Sequence, residues 1–517
     1  MVKESIRRII RVLTLPLAIA VALATFGLPA AAADRHVKVT FVLFSDLYEM
    51  APDADGRGGL AKLATVVKRE RAANPNTLVV HAGDAFSPSL LSSFDRGKHM
   101  VDLLNAVGLD VFVPGNHEFD FGPEIFRQRI GEAKFPVVAT NLSGANGVPV
   151  EGVLSNRMIE LDGVKIGVAG FITETTATSS SPVYMQFSSV LKGALDAAAA
   201  LRKQGADIVV QAVHTERPVD EALIAERAGD LILSGHDHDL LVANNGMVAF
   251  AESMHDAYYV TCVDLDITVS EANGKRTVSV WPNFRILDTK DVPPDPDMTA
   301  RVEVYQKTLS ASLDQPLVKL LDPLDSRVPV VRGEEAAIGD LFADALRATL
   351  GAEVAILNGG GIRGDRLWPA GTELVRRDIV TALPFGNTAV LLDITGKDLR
   401  QALEQAFAQA DRLTGAFPQV SGMRLKVDLS RPKGDRIVSI EVAGQPLDPA
   451  KSYRLATNDY LAEGGNGYFA LERGKPLIAP EDGRLLSEIV MEYLEKSPTV
   501  AAAVDGRIVV ARTTPAQ

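Results

Sequence analysis

Asp46, Asp84, Asn116, His214, His236 and His238 offer carboxylate, amide and imidazole donors and no thiolate. That mixture suits zinc, manganese or a related divalent ion and not an iron–sulfur cluster. Taken singly, each residue has an ordinary alternative: an Asp at a strand end commonly serves as a helix cap or turn residue. Asp84, in His81-Ala82-Gly83-Asp84, reads equally well as a turn. The runs Gly115-Asn116-His117-Glu118 and Gly235-His236-Asp237-His238 are less easily set aside, because both follow short apolar stretches. A second kind of chemistry sits in Asn358-Gly359-Gly360-Gly361-Ile362-Arg363. Its glycines let backbone approach a ligand, and Arg363 can offer a phosphate two parallel hydrogen bonds. A flexible loop is the alternative reading of that segment.

These groups need elements that bring them together. From residue 37 to about 287, β-branched apolar runs alternate with helical stretches, which reads as a layered α/β domain. The run 37–44 leads into Asp46, 78–81 into Asp84, 111–113 into Asn116 and His117, 208–213 into His214, and 231–233 into His236. In open α/β sheets ligands gather beyond the carboxyl ends of the strands, so residues far apart in sequence are expected to converge there. Residues 288–296 (DTKDVPPDP) have no apolar period and read as a connector, followed by a helical segment. From about residue 325 a second α/β pattern begins. It predicts helices over 337–350 and 397–410 and strands over 354–357, 388–394 and near Met423 and Ile437. The expected division is 34–290, a connector with helix at 291–325, and a second domain at 326–517.

The ordered set Asp46, Gly83-Asp84, Gly115-Asn116-His117-Glu118, His214 and Gly235-His236-Asp237-His238 resembles the calcineurin-like metallophosphoesterases. The Asn358–Arg363 loop, with Arg332 upstream, Pro384-Phe385-Gly386-Asn387-Thr388 and Gly464-Gly465-Asn466-Gly467 downstream, resembles the 5′-nucleotidase C-terminal domain. Together they make nearly the whole chain similar to the bacterial periplasmic 5′-nucleotidase and UDP-sugar hydrolase family. The resemblance implies two divalent metals, with zinc, manganese or cobalt as the candidates. Asp84 would bridge them, Asn116, His214 and His236 would complete one site, and Asp46 and His238 the other. It makes His117 a catalytic group oriented by Asp120. It assigns Arg332, Asn358 and Arg363 to the phosphate side of the substrate, Phe385 and Tyr460 to a base clamp, and residue 466 to the sugar. The expected reaction is hydrolysis of a nucleoside monophosphate. Cyclic-nucleotide phosphodiesterase, nucleotide-sugar pyrophosphohydrolase and thiosulfohydrolase activities fit the same scaffold, and a non-catalytic nucleotide-binding protein is the alternative of another class.

Two positions depart from the pattern. Tyr48 stands where the family has the His of D-x-H, and a phenol with an ordinary pKa near 10 is an uncommon ligand. The Asp46 and His238 metal is therefore expected to be weaker, water-completed or of a different identity. Asn466 replaces the Asp of G-G-D-G. His36, His81, His99 and His255 are read as surface or structural residues.

At the level of the whole chain, a formal net charge of −13 opposes binding to a polyanion, so no nucleic-acid partner is expected. Residues 1–33 read as a signal peptide: Lys3, Arg7, Arg8 and Arg11 precede an apolar run that ends at Pro29-Ala30-Ala31-Ala32-Ala33. Cleavage there leaves no membrane anchor and a periplasmic or secreted protein. Cys262 is the single cysteine, so no intramolecular disulfide forms and a chain of this length must rely on its cores.

Overall fold

The five apolar runs that lead to the donors are divided between two sheets packed face to face. The computed structural model describes residues 34–272 and 275–511, so the leader read over 1–33 lies outside the described residues. In the first, seven-stranded sheet, Arg35–Phe44, Thr77–Ala82 and Val111–Val113 are parallel neighbours. The long antiparallel strands Tyr259–Ala272 and Lys275–Asp288 close one side of it. In the second, six-stranded sheet, Ile208–His214 lies between Val164–Ile172 and Leu231–Ser234, all parallel.

The layer between the sheets is apolar throughout. Val39, Phe41, Leu43, Val80, Val111 and Val113 from one sheet meet Ile166, Ile208, Val210, Leu231 and Leu233 from the other. Full burial of each such side chain is worth roughly 1.5–3 kcal/mol. Helices cover both outer faces: Leu60–Ala73, Lys98–Val107 and Pro296–Leu313 lie on the first sheet, and Val190–Lys203 and Arg217–Ala225 on the second. The helix in the stretch read as a connector thus packs on the first domain, with Met298 and Val302 in its core. Sheets covered on both faces explain why these strands are continuous apolar runs and not alternating ones.

In the C-terminal part a five-stranded sheet carries Val354–Asn358 at its interior, flanked by Pro418–Ser421 and Ser452–Asn458. Helices Ala337–Thr349 and Leu486–Glu495 pack on one face. The other face is covered by Gly396–Phe407 and a four-stranded sheet built around Met423–Asp428 and Ile437–Val442. The helices and strands expected here from the sequence all form, within a few residues of their expected ends. Among the described residues, no helix is long and apolar enough to cross a membrane.

Candidate metal centre and substrate pocket

The carboxyl ends of the five strands come together at one rim of the two sheets. There Asp46 (φ 52°), Asp84 (φ 60°), His236 (φ 98°) and His238 (φ 59°) all adopt left-handed backbone. Non-glycine residues held this way cost about 1–3 kcal/mol each and persist only when their surroundings fix them. Two buried carboxylates do much of that fixing. Glu118 accepts from the backbone N–H groups of Asp84 (3.0 Å), Ala85 (2.7 Å), Phe86 (3.0 Å) and Gly115 (2.6 Å). Asp256 Oδ1 accepts from Tyr48 N–H and Glu49 N–H, both at 2.8 Å, and its own N–H donates to the Asp46 carbonyl at 2.9 Å. The tight spacing also requires glycine at Gly83 and Gly115. A Cβ on Gly83 would collide with the His214 ring, and one on Gly115 with both Asp84 and His214.

The donor atoms fall into two groups that share Asp84. In the first, His214 Nε2 lies 3.0 Å from Asp84 Oδ2, 3.1 Å from Asn116 Oδ1 and 3.2 Å from His236 Nδ1. Donors about 2.1 Å from one octahedral cation stand roughly 3.0 Å apart, so this set has the size of a coordination shell. In the second, Asp46 Oδ1 is 3.6 Å from His238 Nε2, and the Tyr48 hydroxyl joins them. The Tyr48 oxygen lies 3.4 Å from Asp46 Oδ1, 3.4 Å from Asp84 Oδ2 and 3.0 Å from His238 Nε2. The first set therefore fits a divalent cation, and the second places further carboxylate and imidazole donors beside it.

The electrostatics show how strongly these groups interact. Burial pushes the Asp46 carboxyl up to about 7, against the pull of His214. Burial would also raise Asp84, but His214, His117 and His236 hold it below the ordinary carboxylate range. Burial opposes charge on His214, yet Asp84 and Asp46 lift it to about 10. Burial, with neighbouring imidazoles, lowers His236 to about 4 and His238 to about 3.

His117 stands beside the first group without joining it. Its backbone N–H donates to Asp84 Oδ1 at 2.9 Å. Its Nδ1 is 2.7 Å from Asp120 Oδ2, and Asp120 Oδ1 accepts from Ser180 Oγ at 2.8 Å. Its Nε2 is 2.9 Å from the carbonyl oxygen of Glu481. Both ring nitrogens thus face acceptors. Burial disfavours a charged ring, but Asp120 and Asp84 raise its pKa well above the usual histidine value.

A cavity of about 440 Å³ opens in the C-terminal domain and is lined by Arg332, Asn358, Arg363, Phe385, Tyr460 and Asn466, together with glycines of the 358–363 loop. All six residues expected to bind substrate are brought together here. The Arg363 guanidinium carbon lies 4.8 Å from the centre of the Phe385 ring, and its Nε donates to the Gly360 carbonyl at 2.9 Å. Burial and the nearby Arg363 both lower the Arg332 pKa, and its Nε has no hydrogen-bond partner among the described residues. Phe385 and Tyr460 are 55% and 44% exposed, so both rings are partly accessible to a ligand, although Arg363 lies over one face of Phe385. Asn458 Nδ2 donates to Asn358 Oδ1 (3.2 Å), and Asn358 Nδ2 to Asn466 Oδ1 (3.0 Å). The backbone N–H of Asn466 donates to the Tyr460 hydroxyl at 3.1 Å.

The calcineurin-like phosphoesterase family matches residues 39–240, and the 5′-nucleotidase C-terminal domain matches residues 318–473. A 5′-nucleotidase of Bos taurus is 27% identical over 493 residues, 87% of this chain and 85% of its own. The solved structure of a 5′-nucleotidase precursor from Thermus thermophilus is 26% identical, with a TM-score of 0.55, covering 92% of this chain and 100% of its own. The chain belongs to the 5′-nucleotidase family. The NAD nucleotidase of Haemophilus influenzae shares the fold, with a TM-score of 0.76 at 21% identity over 93% of this chain and 100% of its own. As a 5′-nucleotidase family member the protein is a phosphoesterase hydrolase, and the family implies divalent metals.

Two features of this family member are not apparent from its motifs. Glu118 and Asp256 hold the metal-centre loops by accepting backbone N–H groups; Glu118 ends the G-N-H-E motif, whereas Asp256 carries no motif signal. The second feature is the position of the C-terminal domain on the metal centre. Asn116 Nδ2 donates to Asp482 Oδ1 at 3.1 Å, beside the His117 contact with Glu481. Among the described residues, no hydrogen bond, ion pair or ring contact links the lining of the 440 Å³ cavity to the metal-centre donors. His81, by contrast, is a packing residue between Phe44 and Phe112. His99 pairs with Asp95, and His36 contacts Thr268 at the surface. His255 lies against His238 with ring centres 5.0 Å apart and planes tilted by 45°, and pairs with Asp256, a structural position beside the second donor group.

Proposed function

We propose that the protein hydrolyses nucleoside 5′-monophosphates in the periplasm or outside the cell. The observation that carries this reading is the cavity that puts two arginines, neither in an ion pair among the described residues, beside two partly exposed aromatic rings. Arg332, Asn358 and Arg363 bind the phosphate side, because guanidinium groups match phosphate oxygens in pairs. Phe385 and Tyr460 bracket the base, since every base has a π-face.

Asp46, Asp84, Asn116, His214, His236 and His238 hold two divalent ions, zinc, manganese or cobalt. When bound, such ions supply polarisation of the phosphoryl group and activation of the attacking water. His117, fixed through Nδ1 by Asp120, presents Nε2 as the donor that stabilises charge as the ester bond breaks. That role requires Nε2 to exchange the Glu481 carbonyl for substrate. Substrate held in the C-terminal cavity must therefore be carried to the metal centre by a movement of one domain against the other, with Glu481 and Asp482 leaving Asn116 and His117.

The test is turnover of the metal-loaded protein across AMP, other nucleoside monophosphates, NAD, a UDP-sugar, a cyclic nucleotide and a thiosulfate ester. Highest kcat/KM on nucleoside monophosphates supports the reading. Exclusive turnover of one of the other classes replaces it. For the location, cell fractionation should find the protein outside the cytoplasm without its first 33 residues.

A further inference from the structure

The Tyr48 side chain reaches the second donor group and has no place in the reading above. Its oxygen is 3.0–3.4 Å from each of Asp46 Oδ1, Asp84 Oδ2 and His238 Nε2. An atom standing at the centre of that group would lie about 2.1 Å from every donor; atoms at the corners of a shared shell stand roughly 3.0 Å apart in an octahedron and 3.4 Å in a tetrahedron. The Tyr48 oxygen has corner distances. It adds a donor at the edge of the group.

The backbone holds it there. Tyr48 N–H is tied to Asp256 Oδ1 at 2.8 Å, and the ring rests against His238 (centres 5.6 Å apart) and edge-on to His117 (5.9 Å). We propose, building on the two-metal reading, that Tyr48 is itself a ligand of the second cation through its phenol oxygen. Forming that bond breaks the O–H bond and releases the proton to solvent, with no change of oxidation state. The ligand sets of the two positions then differ in kind. Asp84, Asn116, His214 and His236 present one carboxylate, one amide and two imidazoles. Asp46, Tyr48, Asp84 and His238 present two carboxylates, one phenol oxygen and one imidazole. Oxygen-rich, anionic shells favour harder cations, whereas imidazole-rich ones suit zinc. The first position therefore selects zinc and the second manganese or another hard ion, so the centre holds two different metals.

The experiment uses the full mature chain stripped of metal and loaded with Zn²⁺, Mn²⁺ or both. The readouts are metal content by elemental analysis and the near-ultraviolet difference absorption of an ionised tyrosine. The wild type should bind two ions, show the tyrosinate signal as the second site fills, and retain one zinc and one manganese from the mixture. Tyr48→Phe should lose the signal and bind the second ion at least tenfold more weakly. Tyr48→His should keep two ions without the signal and take zinc at both positions. If the wild type binds two ions with no tyrosinate signal, or Tyr48→Phe keeps both at unchanged affinity, Tyr48 is not a ligand while the two-metal reading stands. Failure of the wild type to bind any metal overturns both.

Discussion

Replacing Asn466 by Asp should increase the preference for ribose over deoxyribose. Residue 466 lines the cavity in left-handed backbone (φ 53°), a conformation open to both Asn and Asp, so the change adds little strain. In the wild type the side-chain oxygen already accepts from Asn358 Nδ2 at 3.0 Å, and Gln409 Nε2 holds the residue's carbonyl at 2.7 Å. What remains for a sugar is the amide nitrogen, a donor. An aspartate keeps the Asn358 bond and offers a second, charged oxygen to a sugar hydroxyl. A charge-assisted bond contributes about 1.5–3 kcal/mol against about 0.5–1.5 kcal/mol for a neutral one. The gain of about 1 kcal/mol corresponds to roughly a fivefold change in a ratio of rate constants. The assay is kcat/KM for AMP and dAMP on both proteins. The wild type should separate the two substrates weakly, and Asn466→Asp should raise the ratio about fivefold. A wild-type preference above a hundredfold, or a ratio the substitution leaves unmoved, would refute the assignment of residue 466 to the sugar.

His117→Ala should lower kcat by about 10² or more with metal content intact, because the ring lies outside the donor shell; loss of metal from this variant would assign it a different role. Phe385→Ala should raise KM for nucleoside monophosphates more than for p-nitrophenyl phosphate, and equal effects on the two would remove the base clamp. Asp482→Ala deletes the carboxylate bonded to Asn116 and loosens the contact that covers the metal centre. It should raise kcat/KM several-fold with unchanged metal content, whereas a fall would show that Asp482 takes part in turnover.

The candidate donors and the cavity residues stood out in the sequence because each set follows an apolar run and their order is distinctive, and the structure brings each set together. The 359–361 triplet was read as letting backbone approach a ligand, and the structure packs it against Val331, Gly415 and Asn358; Gly83 and Gly115 carried no such reading, yet they pack against His214 and Asp84. Other features left no such trace. Strands 208–214 and 231–234 belong to a different sheet from 35–44 and 77–82, but a strand buried on both faces reads the same in either sheet. Glu118 and Asp256 act on backbone N–H groups, which every residue has, so no partner side chain points to them. The Glu481 and Asp482 contacts join positions 364 and 366 residues apart across two domains, beyond the reach of any local pattern. Tyr48 was visible only as a departure, and its role depends on distances to three donors from three separate loops.

The claim on which the rest depends is that hydrolysis runs on two metal ions held by Asp46, Asp84, Asn116, His214, His236 and His238. The most direct measurement is AMP hydrolysis by the mature protein, followed through exhaustive chelation and stepwise return of a divalent metal, with metal content determined at each step. The account predicts loss of activity with the metal, recovery on its return, and full rate only as the content approaches two ions per chain. Undiminished hydrolysis by protein containing no metal would contradict it.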